Sequence, residues 1–326
     1  MRNKLFEISD IYHAGHWMFS RFAYQMLPVN FYLKYARLKG RLKFYLSNQQ
    51  DLIKKNLMKF LGNIYSEEQI DSIAPRHFEF CEKMTIAHKL INLDRFTPPA
   101  NWPVQGSAHL DKALSRGKGV ILVSAHFGYY KLIKNILINK GYNVKLVRAS
   151  VSKNTKRDQK TIKNASRFKQ YLYKRFYTPL ALPDENDLFA NFNIRPLMEV
   201  LKKNGVLVIM GDALHSSQFV YLPFLGQTYP FPQGYMSLAM MTDAAILPAF
   251  VLNADNGSTL KLVIESPLAL QKKGANGNGL QHNIEQYVSV YESYVKRHPD
   301  QLKIWLKEDW FEKRLARSKK SIKKRY

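Results

Sequence analysis

Cysteine is nearly absent from this chain: of 326 residues, one is a cysteine, Cys81. A lone thiol excludes an intramolecular disulfide framework and a cysteine-rich zinc site, and it fits a reducing compartment. Acid is scarce as well, with 25 Asp and Glu against 50 Lys and Arg and a formal net charge of +25. Such an excess points to a polyanionic partner: nucleic acid, an anionic membrane face, or a phosphorylated or acidic-carrier substrate. Long hydrophobic runs are missing too. The most membrane-like stretch, His16–Tyr32, contains Arg21 and Pro28 and falls short of the roughly 18–20 apolar residues that span a bilayer. Met1–Asp10 mixes charges and lacks a small-residue cleavage site behind an apolar run, so no cleavable leader is expected. Neither a Walker A nor a G-x-G-x-x-G pattern occurs, and His215 has no partner at ligand spacing, so no cofactor or metal is expected.

What is present suffices for a folded core: 46% of residues are hydrophobic and 13% aromatic. The length suits one large domain or two ordinary ones. Residues 1–96 read as a helical N-terminal region. Phe31–Leu46 sets aromatics and leucines at helical spacing with Lys34, Arg37, Lys39, Arg41 and Lys43 between them. That pattern fits a solvated face over a core, or a helix lying on a membrane surface. From 97 to 312 the texture becomes α/β. Gly119–Ser124 is a short apolar run of the buried-strand kind, followed by a helix over Tyr129–Asn139 and a strand over Asn143–Val147. Further helices are expected at Leu197–Asn204, Gly234–Thr242 and Leu280–Arg297, and strands at Val206–Met210, Ala245–Leu252 and Thr259–Ile264. The last two are joined by an Asn-Gly turn. Residues 313–326 form a basic tail with eight Lys and Arg in fourteen residues, either solvated or drawn to anionic lipid.

Ligands of an open α/β sheet bind outside the carboxyl ends of its strands. Two strands deliver reactive groups there. Gly119–Ser124 runs into His126 and Gly128, and Val206–Met210 runs into Gly211-Asp212. A histidine and a carboxylate at one sheet edge suit a general base and the acid that orients it.

The block GVILVSAHFGYYKLI, residues 119–133, resembles the signature of the lysophospholipid acyltransferase superfamily. More narrowly, it is similar to the late acyltransferases of lipid A biosynthesis, the lauroyl and myristoyl transferases. The likeness continues through Val147-Arg148, Leu201–Asp212, Tyr221–Phe250 with its Pro-Phe-Leu-Gly run, and Pro299-Asp300-Gln301 with Trp305. It covers roughly residues 30–312. The resemblance implies a central mixed β-sheet flanked by helices. It also implies acyl transfer from an acyl carrier protein or coenzyme A thioester to a hydroxyl of an anionic lipid acceptor.

In that family the histidine is the base, here His126, and an acid five residues later orients it. This chain has Lys131 at that place. A carboxylate must then come from elsewhere: Asp212 is the candidate, with the acidic loop Asp184–Asp187 a second source. Lys131 and Arg148 become candidate anion contacts, and Gly128, Phe224 and Gly226 candidate substrate-binding positions. The expected setting is peripheral, on the cytoplasmic face of the bacterial inner membrane, docked through His16–Leu46 and the basic tail. Lys153–Arg175 would meet the carrier or the lipid headgroup. A pseudoenzyme of the same fold, favoured by Lys131, is the main alternative. An RNA-binding protein is favoured by charge alone, and no nucleic-acid motif accompanies it.

Overall fold

The computed structural model describes Leu5, Asp10, Ile11, Gly15, Phe22, Ala23, 26–91, 102–148, 166–172, 187–189, 193–214, Ser216, 218–253, 260–271, 279–305, Lys307 and 309–323. Most of His16–Leu27, most of Lys153–Arg175, Asp184–Asn186 and His215 lie outside the described residues.

Among the described elements, α1 (Val29–Leu46), α2 (Gln50–Leu61) and α3 (Glu67–Ile91) precede the sheet. On α1, Tyr32, Ala36, Gly40 and Phe44 recur every four residues and are buried, which lays that stripe on α3. The approach is close because Gly40 has no side chain; a Cβ there would lie 2.5 Å from the Glu79 Cα. Two carboxylates of α3 then collect four cations of α1. Glu79 holds Arg37 at 3.5 Å and Arg41 at 2.6 Å, and Glu82 holds Lys39 and Lys43, each at 2.9 Å.

A seven-stranded sheet follows, built from β1 (Val104–Gln105), β2 (Val120–Ser124), β3 (Val144–Arg148), β4 (Asp187–Phe189), β5 (Val206–Met210), β8 (Ala245–Asn253) and β9 (Leu260–Ile264). Its order is β1-β9-β8-β2-β5-β3-β4. All neighbours are parallel except β8 and β9, which form the antiparallel hairpin that the Asn-Gly turn predicts. All five residues of β2 are buried, as a central strand covered on both faces requires. Its side chains alternate between two cores. Ile121 and Val123 face the one that holds α8 (Gly234–Thr242) and α9 (Gly279–Arg297), while Val120 and Leu122 face the one under α5 (Leu132–Asn139). Helices α4 (Ser107–Leu114), α6 (Arg167–Leu172) and α7 (Arg195–Lys202) complete the layers. The expected mixed sheet flanked by helices, with a helical N-terminal region, is the architecture found.

Two segments add to the expected elements. Phe219–Phe224 (β6) and Gln227–Pro232 (β7) form a separate two-stranded hairpin. Its Pro223, Pro230 and Pro232 are tolerated because an isolated two-stranded ribbon needs few ladder N–H groups. The basic segment expected as a tail continues a helix, α10 (Trp310–Lys323), whose Trp310 and Phe311 are buried against the hairpin side of the core.

Candidate active site

The crevice lies where the sheet changes direction. From β2 the chain proceeds to β3 on one side, and from β5 it proceeds to β8 on the other, while β2 and β5 are direct neighbours with Ser124 opposite Met210. The two connections run in opposite directions, past β5 to β3 and past β2 to β8, and the carboxyl ends of such strands are the usual ligand position. His126 follows the end of β2, and Asp212 follows the end of β5.

The turn that carries His126 is braced on three sides. Ser124 O accepts from Gly211 N and from the Tyr287 hydroxyl, both at 2.7 Å. Phe127 bridges to Leu302, Gly128 N donates to Gln301 O at 3.0 Å, and Tyr129 N donates to Val251 O at 2.8 Å. Gly128 has φ +56°, and a Cβ there would stand 2.2 Å from Val251 O, so no side chain fits. The Pro299–Gln301 turn is thus the rear support of the histidine loop. Gly128 also delays the helix: α5 starts at Leu132 rather than at Tyr129.

His126 Nδ1 lies 2.8 Å from Asp212 Oδ1, and the His126 backbone N–H donates to Oδ2 at 3.1 Å. Both carboxylate oxygens therefore serve one residue. Asp212 is 2% exposed and the His126 side chain 38%, so the acid is sealed while the ring keeps an open side. Burial alone would raise the Asp212 carboxyl. The facing His126, its hydrogen bonds and the charge of Arg314 outweigh that and hold it below the usual carboxylate range. Tyr130 sets its ring edge-on to the imidazole at 5.1 Å. Burial first, then the Asp212 charge, push its hydroxyl up to about 12, so it stays a neutral donor.

Cations lie beside Tyr130 and β3. Lys131 is pushed down to about 8, mainly by burial and then by the neighbouring charges of Arg148 and Lys303. Arg148 Nε meets Asp187 Oδ2 at 3.0 Å, and Lys134 Nζ meets Oδ1 at 2.9 Å. Asp187 therefore joins Lys134 and Arg148, and among the described residues Asp212 is the carboxylate on the histidine.

A family model for bacterial lipid A biosynthesis acyltransferases matches residues 6–313. The chain belongs to that family. No curated protein sequence matches it. Membership supports an acyltransferase of lipid A biosynthesis.

Within this lipid A acyltransferase fold the remaining sequence candidates fall elsewhere. Phe224 is 1% exposed and stacks on Tyr291 at 4.8 Å, inside the aromatic core. Gly226 makes the β6–β7 turn, where Leu225 at φ 50° and Gly226 at φ 72° give the pair of positive angles that a tight hairpin needs. The Pro-Phe-Leu-Gly run is thus a packed hairpin tip. Two residues next to Asp212 escaped the sequence reading: Tyr229 and Arg314, whose side chains both bond its main-chain carbonyl. No local motif announces them, because they reach Asp212 from 17 and 102 residues away.

Proposed function

We propose that the protein transfers a fatty acyl group from a carrier-protein or coenzyme A thioester to a hydroxyl of a lipid A precursor, with His126 as general base. The observation that carries this reading is the 2.8 Å bond between His126 Nδ1 and a sealed, ionised Asp212, combined with an open imidazole. With Nδ1–H donated to the carboxylate, the Nε2 lone pair is left to take the acceptor proton, and Asp212 stabilises the imidazolium that results. The acceptor oxygen attacks the thioester carbonyl, the C–O bond forms, and the C–S bond breaks. The departing thiolate takes the proton back from the imidazolium. Lys131 and Arg148 supply positive charge for the negative charge of the donor, the acceptor or the tetrahedral intermediate. Lys131 keeps most of its charge at neutral pH, since it is pushed only to about 8.

Peripheral docking on the cytoplasmic face of the inner membrane is the setting that fits this substrate. No helix among the described residues is long and apolar enough to cross a membrane. Helix α1 nevertheless exposes Phe31, Tyr35, Leu38, Leu42 and Tyr45, a stripe at helical spacing with Leu38 at 69% and Tyr45 at 68%. Apolar surface of that kind on a basic helix suits the headgroup layer of an anionic bilayer.

Turnover of an acyl-carrier-protein thioester with a lipid A precursor, in wild type and His126→Ala, tests the reading. Product from wild type and none from the variant is expected. Wild type that binds the precursor without turnover would favour the pseudoenzyme that Lys131 suggests. Turnover that survives His126→Ala would remove the site. Flotation with anionic vesicles tests the setting: Leu38→Glu with Leu42→Glu should abolish binding. High salt should weaken it, since the Debye length falls from about 10 Å at 0.1 M to about 3 Å at 1 M.

A further inference from the structure

Asp212 is fixed through its backbone as well as its carboxylate, and the group that fixes it comes from the last helix of the chain. Arg314, in the second turn of α10, donates from Nη1 to the main-chain carbonyl of Asp212 and to the hydroxyl of Tyr229. Tyr229 is fully buried and donates its own proton to the same carbonyl at 3.3 Å. The guanidinium centre stands 4.8 Å from the Trp310 ring and 5.5 Å from the Tyr229 ring. Those two rings stack at 5.1 Å with 18° between their planes.

Three features separate this arrangement from ordinary helix packing. Aromatic contacts already seat α10: Trp310 and Phe311 are buried, and Phe311 stacks on Phe60 at 4.4 Å. Lys59 and Glu312 add an ion pair at 3.1 Å. The guanidinium contributes something else, two donated bonds converging on one peptide group and its tyrosine. Asp212 also lies beyond the end of β5 at Met210, so its carbonyl is held by side chains rather than by a strand ladder. Finally, Arg314 stands one position past the span that the family model matches, which ends at 313.

We propose that Arg314 is a positioning residue. It holds the Asp212 peptide so that the carboxylate meets His126, and it thereby makes α10 part of the catalytic assembly. The proposal rests on the reading of His126 as base, because only then does the aim of Asp212 govern rate. Arginine suits the task because its planar fork can serve the carbonyl and the tyrosine oxygen together while lying against two rings. A lysine at 314 would keep a charge but lose the fork.

The test compares Arg314→Gln, Arg314→Lys and Tyr229→Phe in the full chain, with two independent readouts. The first is steady-state transfer from an acyl-carrier-protein thioester to a lipid A precursor. Arg314→Gln should lower kcat by up to about 100-fold, the cost of misplacing a catalytic group by about 1 Å, with KM for the donor little changed. Arg314→Lys should recover part of the loss. The second readout needs no turnover: the Nδ1–H proton of His126 in 15N-histidine-labelled protein, assigned by its absence in His126→Ala. In Arg314→Gln this signal should move upfield or exchange away, and in Arg314→Lys it should lie between.

An unchanged kcat and an unchanged Nδ1–H signal in a folded Arg314→Gln would overturn the proposal. So would equal losses in the Gln and Lys variants that follow a lower Tm while the Nδ1–H signal stays put, since packing alone would explain them. If Arg314→Gln fails to fold, Tyr229→Phe and Arg314→Lys decide by the same criteria. If wild type shows no turnover, the acyl-transfer reading fails, and the Nδ1–H signal still decides the positioning.

Discussion

Two buried carboxylates at the same sheet have opposite kinds of partner. Asp212, after β5, gives both oxygens to a histidine whose ring is open to solvent on one side. Asp187, in β4, gives its oxygens to Lys134 and Arg148, and the Lys134 side chain is itself only 6% exposed. The first faces an imidazole through Nδ1, which leaves the other ring nitrogen free of that carboxylate. The second is bracketed by a lysine and an arginine and holds both in place. Burial makes a carboxylate costly wherever it lies. Under the proposed acyl transfer, its partner decides whether that cost supports chemistry or architecture.

This contrast can be broken by exchanging the symptoms of the two mutations. Asp212→Asn should cost about 10²- to 10⁴-fold in kcat, because an amide cannot hold the Nδ1–H tautomer. Urea unfolding of that variant should change far less than its rate. A kinetic loss under tenfold would mean that another group orients the imidazole. Asp187→Asn should do the reverse: unfolding free energy should fall by about 3–5 kcal/mol, as when one member of a buried ion pair is removed. Its kinetic effect should appear in KM, through a loosened Arg148, more than in kcat. Loss of kcat without loss of stability would place Asp187 in the chemistry.

A third buried group sharpens the comparison, because His77 is an imidazole without a carboxylate. It is fully buried, and its Nδ1 lies 2.8 Å from the Asp300 carbonyl oxygen. Burial is the main cause that pushes it down to about 4, against a smaller opposing effect of that hydrogen bond. Its folded value lies below the ordinary 6.5 or so, so the unfolded chain binds the extra proton between the two. The stability due to neutral His77 is therefore present above about pH 6.5 and lost as pH falls toward about 4, amounting to about 3 kcal/mol. Urea unfolding at several pH values in that window should show the slope in wild type and a shallower one in His77→Gln. An identical slope in both would assign the acid sensitivity to other groups.

The smallest expected effect concerns Lys131. Its charge fades as pH rises through about 8. Acceptor KM should therefore rise several-fold between about pH 7.5 and 9.5 in wild type and less in Lys131→Arg, whose cation persists. A KM that climbs equally in both would show that Lys131 does not contact the anion.

The sequence by itself determined the layered α/β fold, the strands that end at His126 and Asp212, and the tight turn at Gly128. These depend on local patterns: apolar runs of strand length, helical spacing, and glycine where the backbone must turn or pass closely. Even the idea of pairing His126 with Asp212 needed only two strands ending at one edge. Their direct adjacency was not legible, because strand order depends on crossovers that no local spacing encodes. The fate of the charges was hidden for the same reason. Arg37, Lys39, Arg41 and Lys43 read as a solvated face or as cations for a lipid surface, and the fold pairs them with Glu79 and Glu82. Asp187 read as one acid of a solvated loop, and the fold seals it between Lys134 and Arg148. The β6–β7 hairpin was not assigned from the sequence. Arg314 looked like one basic residue of a tail until α10 carried it to the Asp212 peptide. Local sequence sets which elements form and where they stop. Which distant side chains then meet is decided by tertiary packing, because a contact across 102 residues leaves no periodic trace in the chain.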